Sequence, residues 1–369
     1  MFVHLDKYIL WHISSWCGVQ DLFQMMHTCS TFYNIVPTAC VSELTFTSSI
    51  QFQRAVSTFR EIRVLRCDPY PVVMLDVYGS ASLPTPTTRI HQLCLAGCRM
   101  THAFSSVLCD MLCTHSAETL SRIDCSTRDR SWEVRTLPDW GYVGRLDTAR
   151  ILASCPLVTS INMGYNHIGP LDAMQVFREV GSHPSVTQLD MSVNHIGSYG
   201  IHGLANALRP TNTRVMHVNV YGNHIGPDGC RVLVDALQTN TSVTHLHIGC
   251  NGILPEGARC IYEVLSTNMT LTYLDMSCNR IGPDGGTSIA RALQTNRSLT
   301  YLNISMNGIT DAGATSIAEA LRHNMTITHL YIGTNTMVTG QGALQLTMAL
   351  EQSKTLVHLD MCTVPIRTQ

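Results

Sequence analysis

Seventeen histidines in a chain of 369 residues are the first chemistry to weigh. His217 and His245 lie 28 residues apart, as do His247 and Asp275. Three imidazoles and a carboxylate are a donor set for zinc. They belong to two columns of residues. One reads Ser160, Gln188, His217, His245, Tyr273, Tyr301, His329 and His358; the other, two residues later each time, reads Asn162, Asp190, Asn219, His247, Asp275, Asn303, Tyr331 and Asp360. On neighbouring strands about 4.8 Å apart, such columns stand side by side, and parallel side chains on a flat sheet do not converge on one ion. The expectation is therefore no metal and no cofactor. It is a hydrogen-bonding, aromatic-rich recognition surface, part of whose charge follows pH because imidazole titrates near about 6.5. No phosphate loop, nucleophile elbow, H-E-x-x-H or zinc-type Cys/His spacing is present, so the chain is not expected to be an enzyme.

The columns need a scaffold that repeats. Asn166, Asn194, Asn223, Asn251, Asn279, Asn307 and Asn335 recur at intervals of 28 or 29 residues. Around Asn279 the apolar frame is Leu271, Leu274, Met276, Ile281, Ile289, Ala292 and Leu293; around Asn307 it is Leu299, Leu302, Ile304, Ile309, Ile317, Ala320 and Leu321. A fixed period with a fixed pattern marks a solenoid, whose units bury their apolar faces on one another. Leu274-x-Met276 alternates with period two, so it predicts a short strand with both side chains inward. Tyr273 and Tyr301 then face outward and are expected to be exposed. The asparagine amide, donor and acceptor at once, suits a buried turn whose backbone groups need partners. Ile289, Ala292 and Leu293 have the spacing of a helix face. Gly285 and its counterparts Gly200, Gly229, Gly257 and Gly313 stand where that helix begins. The pattern resembles the leucine-rich repeat, and the 28-residue period with a helical second half resembles its ribonuclease-inhibitor subtype. The resemblance implies an α/β solenoid, a horseshoe with a concave parallel β-sheet and convex helices.

Composition narrows the function classes. Charged residues are 14% and the net charge is −2, so no electrostatic footprint for nucleic acid exists. No apolar run is long enough for a membrane helix, and Met1 to Leu10 lack the basic start and apolar core of a signal peptide. The expected compartment is cytoplasmic, with the nucleus as the alternative. Fifteen cysteines, odd in number and scattered, read as reduced core and turn residues. The Asn-x-Ser/Thr sequons at Asn240, Asn268, Asn296 and Asn324 are one repeat position seen four times rather than glycan sites.

Two regions stand apart from the regular repeats at 156–364. Residues 1–38 contain two helical patterns: Leu5, Ile9, Leu10, Ile13 and Trp16, then Asp21 capping Leu22, Met25, Met26, Cys29, Phe32 and Tyr33. Together these look like a degenerate F-box, although Asp6 stands where that family usually has proline. The resemblance implies a Skp-type adaptor and a cullin as partners, held through Leu5, Ile9, Leu10, Leu22 and Met25. The plainer alternative is a helical cap over the first repeat. Residues 39–369 form the solenoid, with earlier strand signatures at Val41-Leu44-Phe46, Ile62-Leu65-Cys67, Ile90-Leu93-Leu95 and Leu120-Ile123-Cys125. The insertion 128–146 carries Trp132 and Trp140. It is either a lip of the binding face or a loop folded back on the helices. Leu356, Leu359 and Met361 form a last strand, after which no separate capping domain is expected.

The reading is a non-enzymatic protein-recognition module. By resemblance to the F-box/leucine-rich-repeat family it is a substrate receptor of a cullin–RING ubiquitin ligase, binding a protein target on the concave sheet. The contact residues expected are His217, His245, His247, Tyr273, Asp275, Tyr301, Asn303, His329 and Tyr331. The alternatives are a cytoskeletal or organelle scaffold, whose N-terminal helices only cap the solenoid, and, ranked last, a small-GTPase regulator resembling the Ran GTPase-activating protein. Neither a nucleic acid nor a membrane partner is expected.

Overall fold

Three alternating residues suffice for one short strand, provided a neighbouring coil supplies the same triplet beside it. The structure, a computed structural model, describes residues 40–46, 61–67, 74–75, 89–95, 99–100, 102–126, 148–209 and 214–362. They fall into two compact units, one within Met1–Asn166 with His183–Val186, the other within His167–Ser182 and Thr187–Gln369. The helical patterns of 1–38, with Leu5, Ile9, Leu10, Leu22 and Met25, lie outside the described residues, as do the insertion 128–146 and its Trp132 and Trp140.

In the first unit β1 (Cys40–Phe46), β2 (Glu61–Cys67), β4 (Arg89–Cys94), β6 (Arg122–Asp124) and β7 (Ser160–Asn162) pair in parallel in that order. Each early strand signature expected from the sequence falls on or beside one of them. A separate pair joins β3 (Met74–Leu75) to β5 (Arg99–Met100), a feature the repeat pattern does not announce. Helices α1 (His102–His115) and α2 (Thr148–Ser154) complete the described part of this unit. Its core holds Ile90, Leu93, Leu95, Leu120, Ile123 and Ile161, each at most 1% exposed.

In the second unit seven strands run parallel in chain order. They are β8 (Gln188–Asp190), β9 (His217–Asn219), β10 (His245–His247), β11 (Tyr273–Asp275), β12 (Tyr301–Asn303), β13 (His329–Tyr331) and β14 (His358–Asp360). Helices alternate with them: α3 (Pro170–Ser182) before β8, then α4 (Gly197–Ala207), α5 (Gly226–Leu237), α6 (Leu254–Thr267), α7 (Gly282–Thr295), α8 (Asp311–His323) and α9 (Gly340–Gln352). The registers match repeat position to repeat position, Leu246 beside Leu274 and Leu274 beside Leu302. Leu246, Leu274, Leu302 and Leu330 are fully buried, as the alternation requires. Burying each leucine stabilises the fold by about 1.5–3 kcal/mol.

The recurring asparagine does the work expected of a buried amide. Asn279 accepts the Asn251 N–H at 2.8 Å, and its Nδ2 donates to the carbonyls of Ile248 and Met276, both at 2.9 Å. Asn307 accepts the Asn279 N–H and Asn335 that of Asn307, each at 2.8 Å. A second, parallel ladder explains the sequons. Asn240, Asn268, Asn296 and Asn324 are at most 5% exposed and donate through Nδ2 to the carbonyls of Leu208, Leu237, Leu265 and Leu293, each at 2.8 Å. An acceptor amide occupied in this way cannot carry a glycan. At the helix entrance, a Cβ on Gly285 would sit 2.5 Å from that of Ile281, so only glycine fits.

Candidate functional site

Because β9 to β14 are in register, the outward residues of successive strands stand beside one another, and rings at those positions must stack. His217 and His245 have ring centroids 4.2 Å apart, and Tyr273 and Tyr301 stack at 4.0 Å with planes 9° apart. His245 meets Tyr273 at 5.3 Å. On the far side Tyr301 meets Tyr331 at 5.0 Å, and Tyr331 meets His358 at 4.9 Å. His247 lies against Tyr273 at 4.7 Å, and His329 lies between Tyr301 and His358. The result is an unbroken ladder of rings across six strands.

Stacking changes one expectation. Tyr273 and Tyr301 do face out of the sheet, but they are half-buried rather than exposed, because each covers a face of the other. An aromatic pair contributes about 0.5–1.5 kcal/mol beyond its buried area. These tyrosines therefore support the fold as well as the surface.

Burial also acts on the charge of four of these rings. It raises the phenol pKa of Tyr273, and raises that of Tyr301 further with help from its hydrogen bond to Tyr273. It lowers the imidazole pKa of His245, with the neighbouring His217 and His247 acting in the same sense. His247 is lowered by burial too, against the opposing pull of Asp275 and Asp190. Tyr273, Tyr301, His245 and His247 are therefore neutral at pH 7. His245 and His329 are held by their neighbouring threonines, with Nδ1 2.9 Å from Thr244 Oγ1 and from Thr328 Oγ1.

The second column is largely engaged in its own turns. Asp275 Oδ1 accepts from Ser277 N at 2.9 Å and Ser277 Oγ at 2.7 Å, while its Oδ2 accepts from Asn303 Nδ2 at 3.0 Å. Asn303 Oδ1 in turn accepts from Ser305 N at 3.1 Å. Both residues, expected as contacts for a target, thus spend polar atoms in stabilising strand ends. Where this column holds a ring instead, at His247 and Tyr331, the residue two further on is glycine, Gly249 or Gly333, in place of the serine that follows Asp275 and Asn303. Among the described residues no three His, Cys, Asp or Glu side chains are arranged to hold a metal ion. No described helix is long and apolar enough to cross a membrane.

A second histidine row escaped the sequence reading. His167, His195 and His224 follow the ladder asparagines at the exits of the strands. His167 Nδ1 lies 3.1 Å from His195 Nε2, and the His195 and His224 rings stack at 6.1 Å and 8°. Their signal was available in the tetrapeptide Asn-His-Ile-Gly, which occurs at 166–169, 194–197 and 223–226.

The leucine-rich-repeat family comparison agrees with this architecture. The leucine-rich-repeat family profile matches residues 239–261, 267–290 and 295–318. No curated protein sequence matches the chain. Among solved structures the chain is similar to one described as leiomodin-1 actin-binding site 2, with 25% identity over 38% of this chain and 82% of that one, at a TM-score of 0.35. It is also similar to the Caenorhabditis elegans tropomodulin C-terminal domain, with 17% identity over 41% of this chain and 92% of that one, at a TM-score of 0.37. The fold is an α/β leucine-rich-repeat solenoid, a protein-interaction architecture.

Proposed function

We propose that the protein binds a protein target on the open face of the sheet between β9 and β14. The observation that carries this reading is the ring ladder. It presents six strands of pre-stacked aromatic and imidazole groups with little side-chain entropy left to lose on binding. Hydroxyls and ring nitrogens at the edges supply directional hydrogen bonds. The experiment compares proteins captured from a lysate by the unaltered chain, by a Tyr273→Ala/Tyr301→Ala/Tyr331→Ala variant, and by an Arg291→Ala/Gln294→Ala variant on the exposed side of α7. Partners of the ladder disappear from the tyrosine variant alone. An unchanged set of partners in the tyrosine variant, still folded by circular dichroism, refutes the assignment.

A more specific reading rests on the F-box-like sequence of residues 1–38: a substrate receptor of a cullin–RING ubiquitin ligase, docking a Skp-type adaptor through Leu5, Ile9, Leu10, Leu22 and Met25. The scaffold reading assigns the same residues to a cap. Purification from cells with a blocked proteasome separates the two, since adaptor and cullin subunits accompany the chain only in the first.

A further inference from the structure

We propose that His167 and His195 form a two-imidazole site for a divalent first-row transition ion, clipping together two successive repeats of the second unit. The two nitrogens stand 3.1 Å apart. With metal–nitrogen bonds of about 2.05 Å, that separation subtends about 98° at a shared ion, between octahedral and tetrahedral angles. Both rings are exposed, so water completes the coordination shell and no third protein ligand is required. His224 stacks over His195 and holds its plane without joining the bite.

His167 and His224 sit at φ of 51° and 55°, in the left-handed region. At the same repeat position Gly252 and Gly308 adopt 64° and 69°, and Arg280 56°. Coordination uses the neutral form of both rings: the hydrogen bond between them gives way to two nitrogen–metal bonds, the bridging proton shifts to the far nitrogen of the ring that donated it, and each bound ring then carries its one proton on His167 Nε2 or His195 Nδ1.

The test uses the full chain, Ni²⁺ or Zn²⁺ alone as the probe, and two readouts, calorimetric titration and the thermal midpoint. The unaltered chain should bind one ion at this site and melt higher with it, since a ligand of the native state raises stability. Two variants remove one imidazole each: His167→Gly, which suits the left-handed φ of 51° at that residue, and His195→Asn, which keeps a polar side chain at an exposed position. Each should unfold near the unaltered chain without metal, yet bind at least tenfold more weakly and lose the metal-dependent shift. A His217→Gln/His245→Gln variant on the sheet face should keep both. The proposal is overturned if the unaltered chain shows no shift at millimolar ion. It is equally overturned if His167→Gly and His195→Asn respond as the unaltered chain does, or if the sheet-face variant is the one that loses binding.

Discussion

Replacing Asn279 with alanine tests what holds successive repeats together. The amide makes three strong bonds: it accepts from Asn251 N at 2.8 Å and donates to the carbonyls of Ile248 and Met276 at 2.9 Å. The carbonyls keep other donors, because Asn251 Nδ2 also reaches Ile248 O and Asn307 Nδ2 reaches Met276 O. The Asn251 N–H has no such substitute and would be left buried without an acceptor. An orphaned N–H costs about 1–3 kcal/mol and each of the two lost carbonyl bonds about 1 kcal/mol, giving about 3–5 kcal/mol in all. For a unit of this size that lowers the thermal midpoint by about 6–20 °C. Because repeat arrays unfold less cooperatively than compact domains, the sharper assay is native-state hydrogen exchange, read at the Asn251 amide. Its protection should fall while that of amides several repeats away persists. An Asn279→Ala variant in which Asn251 stays protected, or which loses under 1 kcal/mol, would show that the ladder is not what joins the coils.

Three further outcomes are expected. Leu274→Ala should cost about 2–5 kcal/mol in urea unfolding, whereas Tyr273→Ala should cost about 0.5–1.5 kcal/mol through its lost stack; a costlier tyrosine would put the strand register off by one. Stability should be full above about pH 6.5 and fall below it, because the imidazoles of His245 and His247 are depressed in the folded state and the unfolded chain takes up protons first. His245→Gln should flatten that slope in pH-dependent melting curves, and an unchanged slope would assign it to other groups. Gly285→Ala should destabilise by about 1–3 kcal/mol, since its methyl would sit 2.5 Å from Ile281 Cβ, and a neutral result would mean the helix entrance yields easily.

Much of this fold was legible because the backbone imposes it. A three-residue strand, a buried turn and a helix face each demand particular residue types, and Leu274, Asn279 and Ile289 meet those demands in order. The sequon position was recognised as a repeat position, but its reason, a second ladder from Asn240 to Asn324, needed the partner carbonyls to be placed. Rotamer-level pairings were not legible at all. Whether Asp275 is available to a target depends on Ser277 and on Asn303 one coil away, and the exposure of Tyr273 depends on where Tyr301 lies. The strand pair Met74–Leu75 with Arg99–Met100 is too short to leave a period. The His167–His195 pair was hidden for a different reason: it lies outside the two strand columns, where attention to alternation does not look.

The asparagine ladder bears on how such a chain changes length over evolutionary time. Each rung joins the same two kinds of group 28 residues apart, Asn223 N to Asn251 Oδ1, Asn251 N to Asn279 Oδ1 and Asn279 N to Asn307 Oδ1. A duplication or deletion of one whole period would bring together ends that already match, so no new junction has to be invented. The rings on the open face are carried on the same period, and gain or loss of a coil would add or remove ring positions in step. Length, in such an array, changes in whole coils, while the open face changes one ring at a time.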